Sequence, residues 1–409
     1  MTTMIDIIKN NEKAPRKLGL YIHIPFCRTK CLYCDFCSFV SRNEDDREAY
    51  VCALINEIKE RATKEYLVDT IYFGGGTPSL LTVEQIGRIL SCIRENFVVC
   101  GDVEITLECN PMTVKRDVED VVPYGDERTP NGRPYGEGGY FEELKRIGIN
   151  RLSIGIQSAI DEELKLIGRQ HSFEQAKNTF FDARKSGFDN ISIDIMFGIP
   201  SQTLKSLLCS LEQFISLGAE HVSIYSLQLE EETPLYRMRD RYSLADDDTV
   251  ADMYELVVTH MKNAGYSHYE ISNFAKDGRE SRHNSKYWQL NEYLGLGLAA
   301  HSDFSCHRLE NTKDMEKYLS GEWLENDLAI SEAEREFEFI MLGLRMAKGI
   351  SKYKFYARFG IDFDQKYGKK VEKLEKMGYV LQNDEYFSLN EQGFEVSNMI
   401  LAEILDFDY

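Results

Sequence analysis

Long apolar stretches are missing from this sequence. Charged residues interrupt every apolar run well short of the ~20 residues that a membrane-spanning helix needs. The first residues, MTTMIDIIKNNEKAPRK, also lack the apolar core of a secretory signal peptide. These absences predict a cytoplasmic protein without a membrane span. We interpret residues 1–17 as an N-terminal tail that precedes the first structured element.

Basic residues are scarce as well. The 409-residue chain has 48 Lys and Arg against 68 Asp and Glu, which gives a net charge of −20. Because nucleic-acid binding depends on clustered Lys and Arg, we predict no nucleic-acid partner. With 43% hydrophobic and 28% charged residues, the composition is that of a globular protein and not of a disordered chain. The length indicates two or three domains.

The spacing of the cysteines is also unlike that of a disulfide-bonded protein. Four of the ten cysteines lie close together and the others are scattered, the four being Cys27, Cys31, Cys34 and Cys37. In a cytoplasmic protein such a cluster indicates a metal or redox site. The sequence therefore predicts that a metal or redox site lies in one short loop after the first apolar run.

Short β-branched runs alternate with amphipathic helical patterns in the first half of the chain. The runs are GLYIHIPF (19–26), DTIYFGG (69–75), DVEITLEC (102–109), NRLSIGIQS (150–158), NISIDIMFGIP (190–200) and HVSIYSLQL (221–229). Strand and helix in alternation predict a parallel sheet with right-handed crossovers. Six repeats favour an α/β fold of the TIM-barrel type, a partial (β/α)6 barrel over residues 18–245. Periodicity leaves the closure of the barrel open.

One segment interrupts this alternation. Residues 112–140 contain VVPYGDERTPNGRPYGEGGY, whose prolines and glycines predict a loop insertion. It follows the third strand at its carboxyl end, where a β/α barrel carries its active site. Two interpretations stay open at this point: a solvated surface insertion, or a lid over the site.

The pattern changes again in the second half. Residues 246–325 read as a connecting region that is aromatic, polar and rich in glycine. Residues 326–409 predict a small α+β domain of the winged-helix type, with a helix over 369–377 and a two-stranded wing over 379–393. From 330 to 409 there are 11 Lys and Arg against 15 Asp and Glu, a net charge of −4. Since a DNA-binding wing is usually basic, we expect a cap or partner surface here.

The cysteine loop has the chemistry of a metal site. Cys27, Cys31 and Cys34 follow the spacing Cys-x3-Cys-x2-Cys, and soft thiolates at such spacing select zinc or an iron–sulfur cluster. A closed zinc site needs four ligands, and Cys37 offers the fourth. Three thiolates within one tight loop favour a cluster with one open iron, and the zinc alternative stays open.

Several strings in the sequence together resemble the radical S-adenosylmethionine (SAM) superfamily. Within it, they are similar to the branch that contains oxygen-independent coproporphyrinogen III oxidase and its sister haem chaperones. The matching strings occur in order and are YIHIPFC, YFGGGTPS, LECNP, RLSIGIQS, GRQH and DIMFGIP. The resemblance covers residues 18–400 apart from the insertion.

This resemblance implies two cofactors. A [4Fe–4S] cluster would be bound by Cys27, Cys31 and Cys34, and SAM would chelate the open iron. A guanidinium suits the SAM carboxylate, while carboxylate and amide groups suit the ribose hydroxyls. The residues implied to bind SAM are Tyr21, Tyr33, Gly75, Gly76, Thr77, Glu108, Gln157, Arg169 and Asp194.

Two features favour the chaperone group over the oxidase. Phe36 occupies the position where the oxidase carries a fourth cysteine, and only twenty residues precede Tyr21. In addition, Ser281–Trp288 contains the H-N-x-x-Y-W pattern of the chaperone group, in which His283 would ligate haem through a neutral imidazole. In the alternative interpretation, His283 caps a turn and Trp288 fills the core.

The sequence thus predicts a haem chaperone that binds a [4Fe–4S] cluster, SAM and haem. Its partners would be apo-haemoproteins, such as respiratory enzymes, and an electron donor for the cluster. Three rival functions stay open: oxidative decarboxylation of coproporphyrinogen III, another radical SAM transferase such as a methylase, and a zinc-stabilised binding module. No catalytic residue is assigned.

Overall fold

The computed structural model describes residues 15–41, 43–111, 113 and 139–406. Its strands are β1 (Arg16–Ile24), β2 (Phe26–Cys27), β3 (Phe39–Val40), β4 (Tyr66–Gly75), β5 (Val98–Cys109), β6 (Arg151–Gln157), β7 (Ile191–Phe197), β8 (His221–Ser226), β9 (Ser267–Glu270), β10 (Asn273–Ala275), β11 (Tyr293–Leu296), β12 (His301–Phe304), β13 (His307–Asn311), β14 (Leu324–Ala329), β15 (Ile350–Ser351), β16 (Val380–Gln382) and β17 (Tyr386–Leu389).

Helices alternate with these strands. They are α1 (Glu44–Glu60), α2 (Val83–Asn96), α3 (Gly139–Ile147), α4 (Asp161–Leu166), α5 (Phe173–Lys185), α6 (Leu204–Leu217), α7 (Pro234–Arg237), α8 (Asp247–Asn263), α9 (Arg282–Trp288), α10 (Met315–Ser320), α11 (Glu332–Gly343), α12 (Lys352–Phe359), α13 (Phe363–Lys376), α14 (Glu391–Glu395) and α15 (Ser397–Leu405). Short 3-10 turns occupy Pro78–Leu80 and Arg239–Arg241. Among the described residues, no helix combines the length and the apolar composition needed to cross a membrane.

The six predicted strands are confirmed as a continuous parallel series. They lie in the order β1-β4-β5-β6-β7-β8, each hydrogen-bonded in parallel to the next. The first strand begins at Arg16, inside the predicted N-terminal tail, because it pairs with Tyr66 of β4 from its first residue onward. The predicted (β/α)6 arrangement is therefore correct, and the tail is shorter than expected.

The sheet continues beyond this series on both sides. On one side β11 adds in parallel to β1, and β12, β13 and β14 follow in antiparallel fashion. On the other side β10 and β9 add antiparallel to β8. Much of the predicted connecting region thus belongs to the same twelve-stranded sheet, which sequence reasoning did not predict. No pairing within the described residues joins the outer strands β14 and β9, so the barrel is partial.

Capping boxes set the start of the helices that follow the strands. Thr82 and Gln85 cap α2 reciprocally, and Ser172 with Gln175 does the same for α5. Such a box satisfies two backbone N–H groups that would otherwise lack partners. One face of α2 then packs into the core through four fully buried residues, Ile86, Ile89, Leu90 and Ile93. Local sequence therefore fixes where these two helices begin.

The C-terminal domain has the element order of a winged helix, as predicted. Helices α11, α12 and α13 precede the hairpin β16–β17, and β15 completes a three-stranded sheet with it. The domain has a hydrophobic core of its own, centred on Phe355, Phe363 and Phe387. A buried ion pair between Arg335 of α11 and Asp303 of β12, with an N–O distance of 2.5 Å, connects it to the barrel sheet.

The predicted insertion lies mostly outside the described residues. Of the range 112–140, the structure describes Thr113, Gly139 and Tyr140, and α3 begins at Gly139. The helix therefore starts within the last two residues of the predicted loop, because Tyr140, Phe141 and Leu144 are buried against the barrel. The division of the chain into domains with the predicted limits stays a prediction.

Candidate functional site

The inward face of the barrel is polar, in contrast to its outward face. Along β5, Ile105, Leu107 and Cys109 belong to the hydrophobic core, while Glu104, Thr106 and Glu108 alternate with them on the opposite face. A closed TIM barrel fills its interior mainly with branched apolar side chains. Buried acids and hydroxyls in that position indicate an interior that contacts a polar ligand.

The predicted metal loop connects β2 and β3 at the carboxyl end of the barrel. Cys27 is buried in β2, and Cys31 and Cys34 lie half-buried in the loop. Backbone hydrogen bonds attach the loop to its surroundings: the Leu32 N–H donates to the Ile167 carbonyl at 3.1 Å, and the Cys34 N–H donates to the Cys31 carbonyl at 3.3 Å. The three thiols are thus held together beside the strand ends.

The electrostatics of this loop favour a cationic partner. Burial raises the pKa of the Cys34 thiol to about 11, and the neighbouring thiols Cys31 and Cys27 raise it further. Three thiolates crowd one another unless a metal centre offsets their charge. Within the described ranges, no three Cys, His, Asp or Glu side chains converge as a single-ion site requires. A cluster does not require that convergence, because each thiolate binds a different iron.

The predicted glycine motif lies against the strand that leads to the cysteines. Gly76 N–H donates to the Ile24 carbonyl at 2.8 Å, and Thr77 N–H donates to the Phe26 carbonyl at 2.7 Å. A Cβ atom at position 76 would lie 2.7 Å from the Phe26 oxygen, so only glycine fits there. Thr77 also donates its hydroxyl to the Cys27 sulfur at 3.6 Å. The motif therefore fixes the position of the first cysteine.

Two acids of intermediate exposure face the interior below this rim. Glu108 accepts a hydrogen bond from the Tyr72 hydroxyl at 2.8 Å, and Asp194 accepts one from the Ser153 hydroxyl at 2.9 Å. Burial raises the pKa of Glu108 to about 7, and the nearby Asp194 adds to the shift. Burial likewise raises the pKa of Asp194. Both carboxyls are poised to lose a proton when a cationic group binds beside them.

Arg169 links the two parts of the site. Its guanidinium donates through Nη1 to the Cys31 sulfur at 3.6 Å and through Nη2 to the Gly155 carbonyl. Its Nε is buried without a hydrogen-bond partner among the described residues. A second buried guanidinium, Arg151, lies at the start of β6 and also has an unpartnered Nε. Each of these Nε atoms is therefore free to donate to a further acceptor.

Gln157 has an unusual backbone at the end of β6. Its φ is +75°, in the left-handed region that non-glycine residues seldom adopt. Its Oε1 accepts a hydrogen bond from the Tyr225 hydroxyl at 3.0 Å. A strained residue of this kind costs on the order of 1–3 kcal/mol and is typical of functional sites. The strain turns the amide of Gln157 at the point where the strand leaves the barrel.

Most of the predicted site residues are therefore neighbours at one end of the barrel. Tyr21 contacts His23 through a 3.1 Å hydrogen bond between its hydroxyl and Nδ1, and Tyr33 packs on Ile167 and Met196. Sequence reasoning missed the residues that hold this set in place. Four of them lie inside the matching strings but were not singled out there, and the fifth lies in HVSIYSLQL: His23, Tyr72, Ser153, Gly155 and Tyr225.

His283 lies elsewhere, at the amino end of the barrel. Helix α9 crosses that end, and its His283 N–H donates to Glu104 at 3.1 Å. Both ring nitrogens share hydrogen bonds with hydroxyl groups, Nδ1 with that of Thr70 and Nε2 with that of Tyr287, each at 2.8 Å. It also stacks on Tyr72, with 5.1 Å between the ring centroids. The Tyr21 ring centroid lies 6.5 Å away, so the predicted haem ligand packs beneath two aromatic rings of the barrel interior.

The surroundings of His283 keep its imidazole neutral and hydrogen-bonded. The pKa of its imidazole is lowered to about 3, chiefly by burial and in part by the nearby charges of Lys286 and Arg151. Lys286 itself forms a buried ion pair with Asp69 at 2.6 Å. A neutral imidazole suits iron, but both ring nitrogens already have partners. In this arrangement His283 is a buried residue of the amino end, and its role as a haem ligand stays a prediction.

Comparisons with known proteins agree with this geometry. Residues 21–213 match the family model described as Radical SAM superfamily, and residues 330–396 match the HemN C-terminal domain. The chain is 34% identical to the heme chaperone HemW of Bacillus subtilis, over 94% of this chain and 98% of the relative. It is 33% identical to that of Escherichia coli, over 95% and 98%. The chain belongs to the HemW family of radical SAM proteins.

Membership of the HemW family confirms the branch that the sequence motifs predicted. It also implies a [4Fe–4S] cluster and SAM, since both are features of the superfamily. A third relative, the heme chaperone HemW of Lactococcus lactis, is 32% identical over 94% of this chain and 96% of its own length. These relatives span nearly the same length, so the barrel and the winged-helix domain belong together in the family.

A solved structure supports the fold. Coproporphyrinogen III oxidase (HemN) from Escherichia coli superposes with a TM-score of 0.78 at 22% identity, covering 98% of this chain and 93% of that one. At this identity the likeness concerns the fold alone. It confirms the partial barrel followed by a small C-terminal domain.

Proposed function

We propose that this chain is a cytoplasmic haem chaperone, which binds haem and passes it to apo-haemoproteins such as respiratory enzymes. The observation that carries the proposal is the similarity, over nearly the whole length, to bacterial proteins named heme chaperone HemW. The site residues below are part of the same proposal. The cytoplasmic location stays a prediction from the N-terminal sequence.

In this proposal Cys27, Cys31 and Cys34 hold a [4Fe–4S] cluster, with SAM beside it. When bound, these groups supply one-electron chemistry at the carboxyl end of the barrel, and an external protein supplies the electron. The donor set fits the cluster because the three thiols lie in one loop that hydrogen bonds hold in place. The backbone carbonyl of Cys37 accepts a 3.0 Å hydrogen bond from His23 Nε2.

The residues around the loop fit SAM by their chemistry. Arg169 would bind the SAM carboxylate through a charge-assisted contact, since its Nε has no partner within the described residues. Glu108 and Asp194 would face the positive groups or hydroxyls of the ligand, and a nearby cation would lower the pKa of both. The remaining residues would form the wall: Tyr21, Tyr33, Gly75, Gly76, Thr77 and Gln157.

Haem contact at His283 needs one further condition. Because both ring nitrogens are hydrogen-bonded inside the barrel, iron would reach one of them only after α9 moves away from Thr70 or Tyr287 turns aside. His301 on β12 is exposed and requires no such movement. Its Nε2 lies 3.8 Å from a Glu310 oxygen. We keep His283 as the proposed haem residue and use His301 as the comparison.

The proposal is tested first by metal analysis after anaerobic purification. We expect about four iron and four sulfide per chain, as a [4Fe–4S] cluster requires. Zinc without sulfide would contradict the proposal and would support the zinc-stabilised module. Conversion of coproporphyrinogen III or methylation of a substrate would replace the chaperone proposal with one of the enzymatic alternatives.

Haem transfer is tested next with the cluster-containing protein. Haem titration followed by absorbance should show saturable binding, and loss of that haem to an apo-haemoprotein should follow. The variants His283→Gln and His301→Gln are compared at equal cluster content. Weaker binding in His283→Gln alone supports the proposed haem residue, whereas weaker binding in His301→Gln alone would move the haem to the outer strand.

A further inference from the structure

Strand β6 is irregular just before it ends. Its pairing with β7 matches Gly155 with Asp194 and Gln157 with Ile195, so the register shifts and Ile156 is an extra residue. Such a β-bulge interrupts the hydrogen-bond ladder and re-aims the side chain beside it. Backbone carbonyls that the ladder does not use need donors from elsewhere. The bulge leads directly into Gln157 and its left-handed φ of +75°.

Two side chains from one short segment supply these donors. Residues 167–171 lie between α4 and α5, and we call them the clamp segment. Arg169 donates through Nη2 to the Gly155 carbonyl, and His171 Nε2 lies 3.1 Å from the Ile156 carbonyl oxygen. Because a carbonyl only accepts hydrogen bonds, His171 carries its proton on Nε2 and donates. The clamp segment therefore binds both carbonyls of the bulge.

His171 is a buried and neutral donor. Only 4% of its surface is exposed. The pKa of its imidazole is lowered to about 3, chiefly by burial and in part by the charge of Arg169. The next residue, Ser172, starts α5 with its capping box and fixes the backbone on that side. The imidazole is thus held against the bulge.

The clamp segment also contacts the cysteine loop. The Leu32 N–H donates to the Ile167 carbonyl at 3.1 Å. A Cβ atom on Gly168 would lie 2.8 Å from Leu32 Cγ, so the segment and the loop are in close contact. Arg169 Nη1 donates to the Cys31 sulfur at 3.6 Å. One segment of five residues therefore contacts both the predicted cluster loop and the bulge of β6.

The Gln157 amide and the Arg169 guanidinium approach each other at the bulge. A Cβ atom on Gly155 would lie 3.1 Å from Gln157 Nε2 and 3.2 Å from Arg169 Nη2. Both side chains are proposed to bind SAM. Their relative position depends on the backbone of the bulge, which His171 holds at the Ile156 carbonyl.

We propose that His171 is a positioning residue for SAM, which fixes the bulge of β6 and thereby aims the Gln157 amide at the ligand beside Arg169. This inference rests on the proposed function, because it assumes that Gln157 and Arg169 bind SAM. His171 acts through the backbone and does not contact the ligand. At metal sites, outer partners that hold binding groups in place change affinity or activity by roughly 10- to 100-fold.

The test measures SAM affinity of the anaerobic, cluster-containing protein by calorimetric titration at equal cluster content. His171→Leu removes the donor, and His171→Gln keeps an amide N–H at a similar reach to Nε2. The matched control is His221→Leu on β8, where a buried imidazole bonds instead to Ser192 and Tyr269. Should His171→Leu not fold, His171→Asn replaces it, because its shorter amide does not reach the Ile156 carbonyl.

We expect His171→Leu to weaken SAM binding about tenfold and His171→Gln to recover most of the loss, while His221→Leu binds SAM as the wild type does. In a Gln157→Ala background, His171→Leu should weaken binding by less than about twofold, because the two residues act as one unit. Wild-type affinity in His171→Leu would overturn the inference. So would equal weakening in His221→Leu, no recovery in His171→Gln, or additive effects of His171→Leu and Gln157→Ala.

A failure of the proposed function looks different. A wild-type protein that forms no cluster or binds no SAM contradicts the function. Hydrogen exchange of the metal-free protein then decides whether His171 fixes the bulge, because it requires neither cofactor. The peptide covering residues 153–160 should exchange faster in His171→Leu than in the wild type and His171→Gln. Unchanged exchange in His171→Leu would overturn the inference.

Discussion

His283 at the amino end and Arg169 at the carboxyl end of the barrel differ in how fully their hydrogen-bonding groups are partnered, although Arg151 at the amino end also has an unpartnered Nε. At the amino end, His283 has hydrogen-bond partners for both ring nitrogens, and Lys286 pairs with Asp69. At the carboxyl end, Arg169 keeps an unpartnered Nε, and Gln157 holds a strained backbone. Polar groups whose hydrogen bonds are all made stabilise a fold. Buried polar groups without partners and strained backbones are characteristic of ligand sites.

This difference indicates which end of the barrel can bind its ligand with little rearrangement. The carboxyl end already presents thiols, acids and a guanidinium around one space, so that binding SAM requires little rearrangement. The amino end is closed, since α9 lies across it and His283 stacks on Tyr72. Haem binding at His283 would therefore require breaking contacts that now stabilise the barrel.

The largest expected effect concerns metal at the carboxyl end. In Cys31→Ser, iron and sulfide should fall from about four per chain to near zero, because a serine oxygen is a poor ligand for a cluster. Metal analysis and absorbance measure this. The control is Cys209→Ser, at an exposed cysteine on α6, which should keep full cluster content. Equal loss in both variants would show that general instability is the cause.

The second effect concerns stability at the amino end. His283→Ala should lower the free energy of unfolding by about 3 kcal/mol, since it leaves a cavity and unpaired hydroxyls of Thr70 and Tyr287. Urea denaturation of the metal-free protein measures this. The counterpart at the carboxyl end is Gln157→Gly. It should change the free energy of unfolding by less than about 1 kcal/mol, because release of backbone strain offsets the lost Tyr225 contact. Similar losses in both variants would remove the distinction between the ends.

The third effect is a pair of opposite pH dependences. The imidazole of His283 has a pKa lowered from 6.5 to about 3 by burial, so the unfolded chain binds the proton first and stability falls as pH drops below 6.5. The carboxyl of Glu108 has a pKa raised from 4.5 to about 7 by burial, so stability falls as pH rises from 4.5 to 7. The two contributions oppose each other where their ranges overlap.

Two variants of the metal-free protein separate these contributions. Between pH 4.5 and 6.5, Glu108→Gln should become more stable relative to the wild type as pH rises, and His283→Gln should become less stable. Each difference is limited to about 1.4 kcal/mol per pH unit for one proton. Urea denaturation across this range measures both. Parallel curves for the wild type and both variants would show that neither group is buried in the manner described.

The smallest expected effect tests whether the amino end must open. Tyr287→Phe removes the hydrogen bond to His283 Nε2 while keeping the ring, so haem should reach the imidazole more easily. If haem binds there, its affinity should increase about fivefold, which corresponds to about 1 kcal/mol for one hydrogen bond. Haem titration measures this, with Tyr293→Phe as a control at the neighbouring ring. Unchanged affinity would argue against His283 as the haem residue.

Much of the carboxyl end could be predicted from sequence because its signals are local. The spacing of Cys27, Cys31 and Cys34 and the glycines at 74–76 lie on single loops, and each loop follows a strand with an unmistakable apolar run. In a parallel sheet the carboxyl ends of the strands meet at the same edge. The order of the runs therefore predicted that these loops are neighbours before any contact was known.

The outer strands could not be predicted in the same way. Strand β14, LENDLA, is exposed along its whole length, and the other added strands are short, so neither alternation nor an apolar run marks them. Their place in the sheet depends on pairing with residues far away in the chain, as between β11 and β1. Such pairing has no local signature.

By itself, the sequence determined the parallel barrel, the cysteine loop and the winged-helix domain, because hydrophobic period and motif spacing are properties of short segments. Tertiary structure alone decided that His283 lies at the opposite end from the cysteines, with Thr70 and Tyr287 as partners. It also decided the left-handed backbone of Gln157 and the unpartnered Nε of Arg169. These features depend on which distant side chains share the interior, and that is set only when the sheet curves and α9 closes one end.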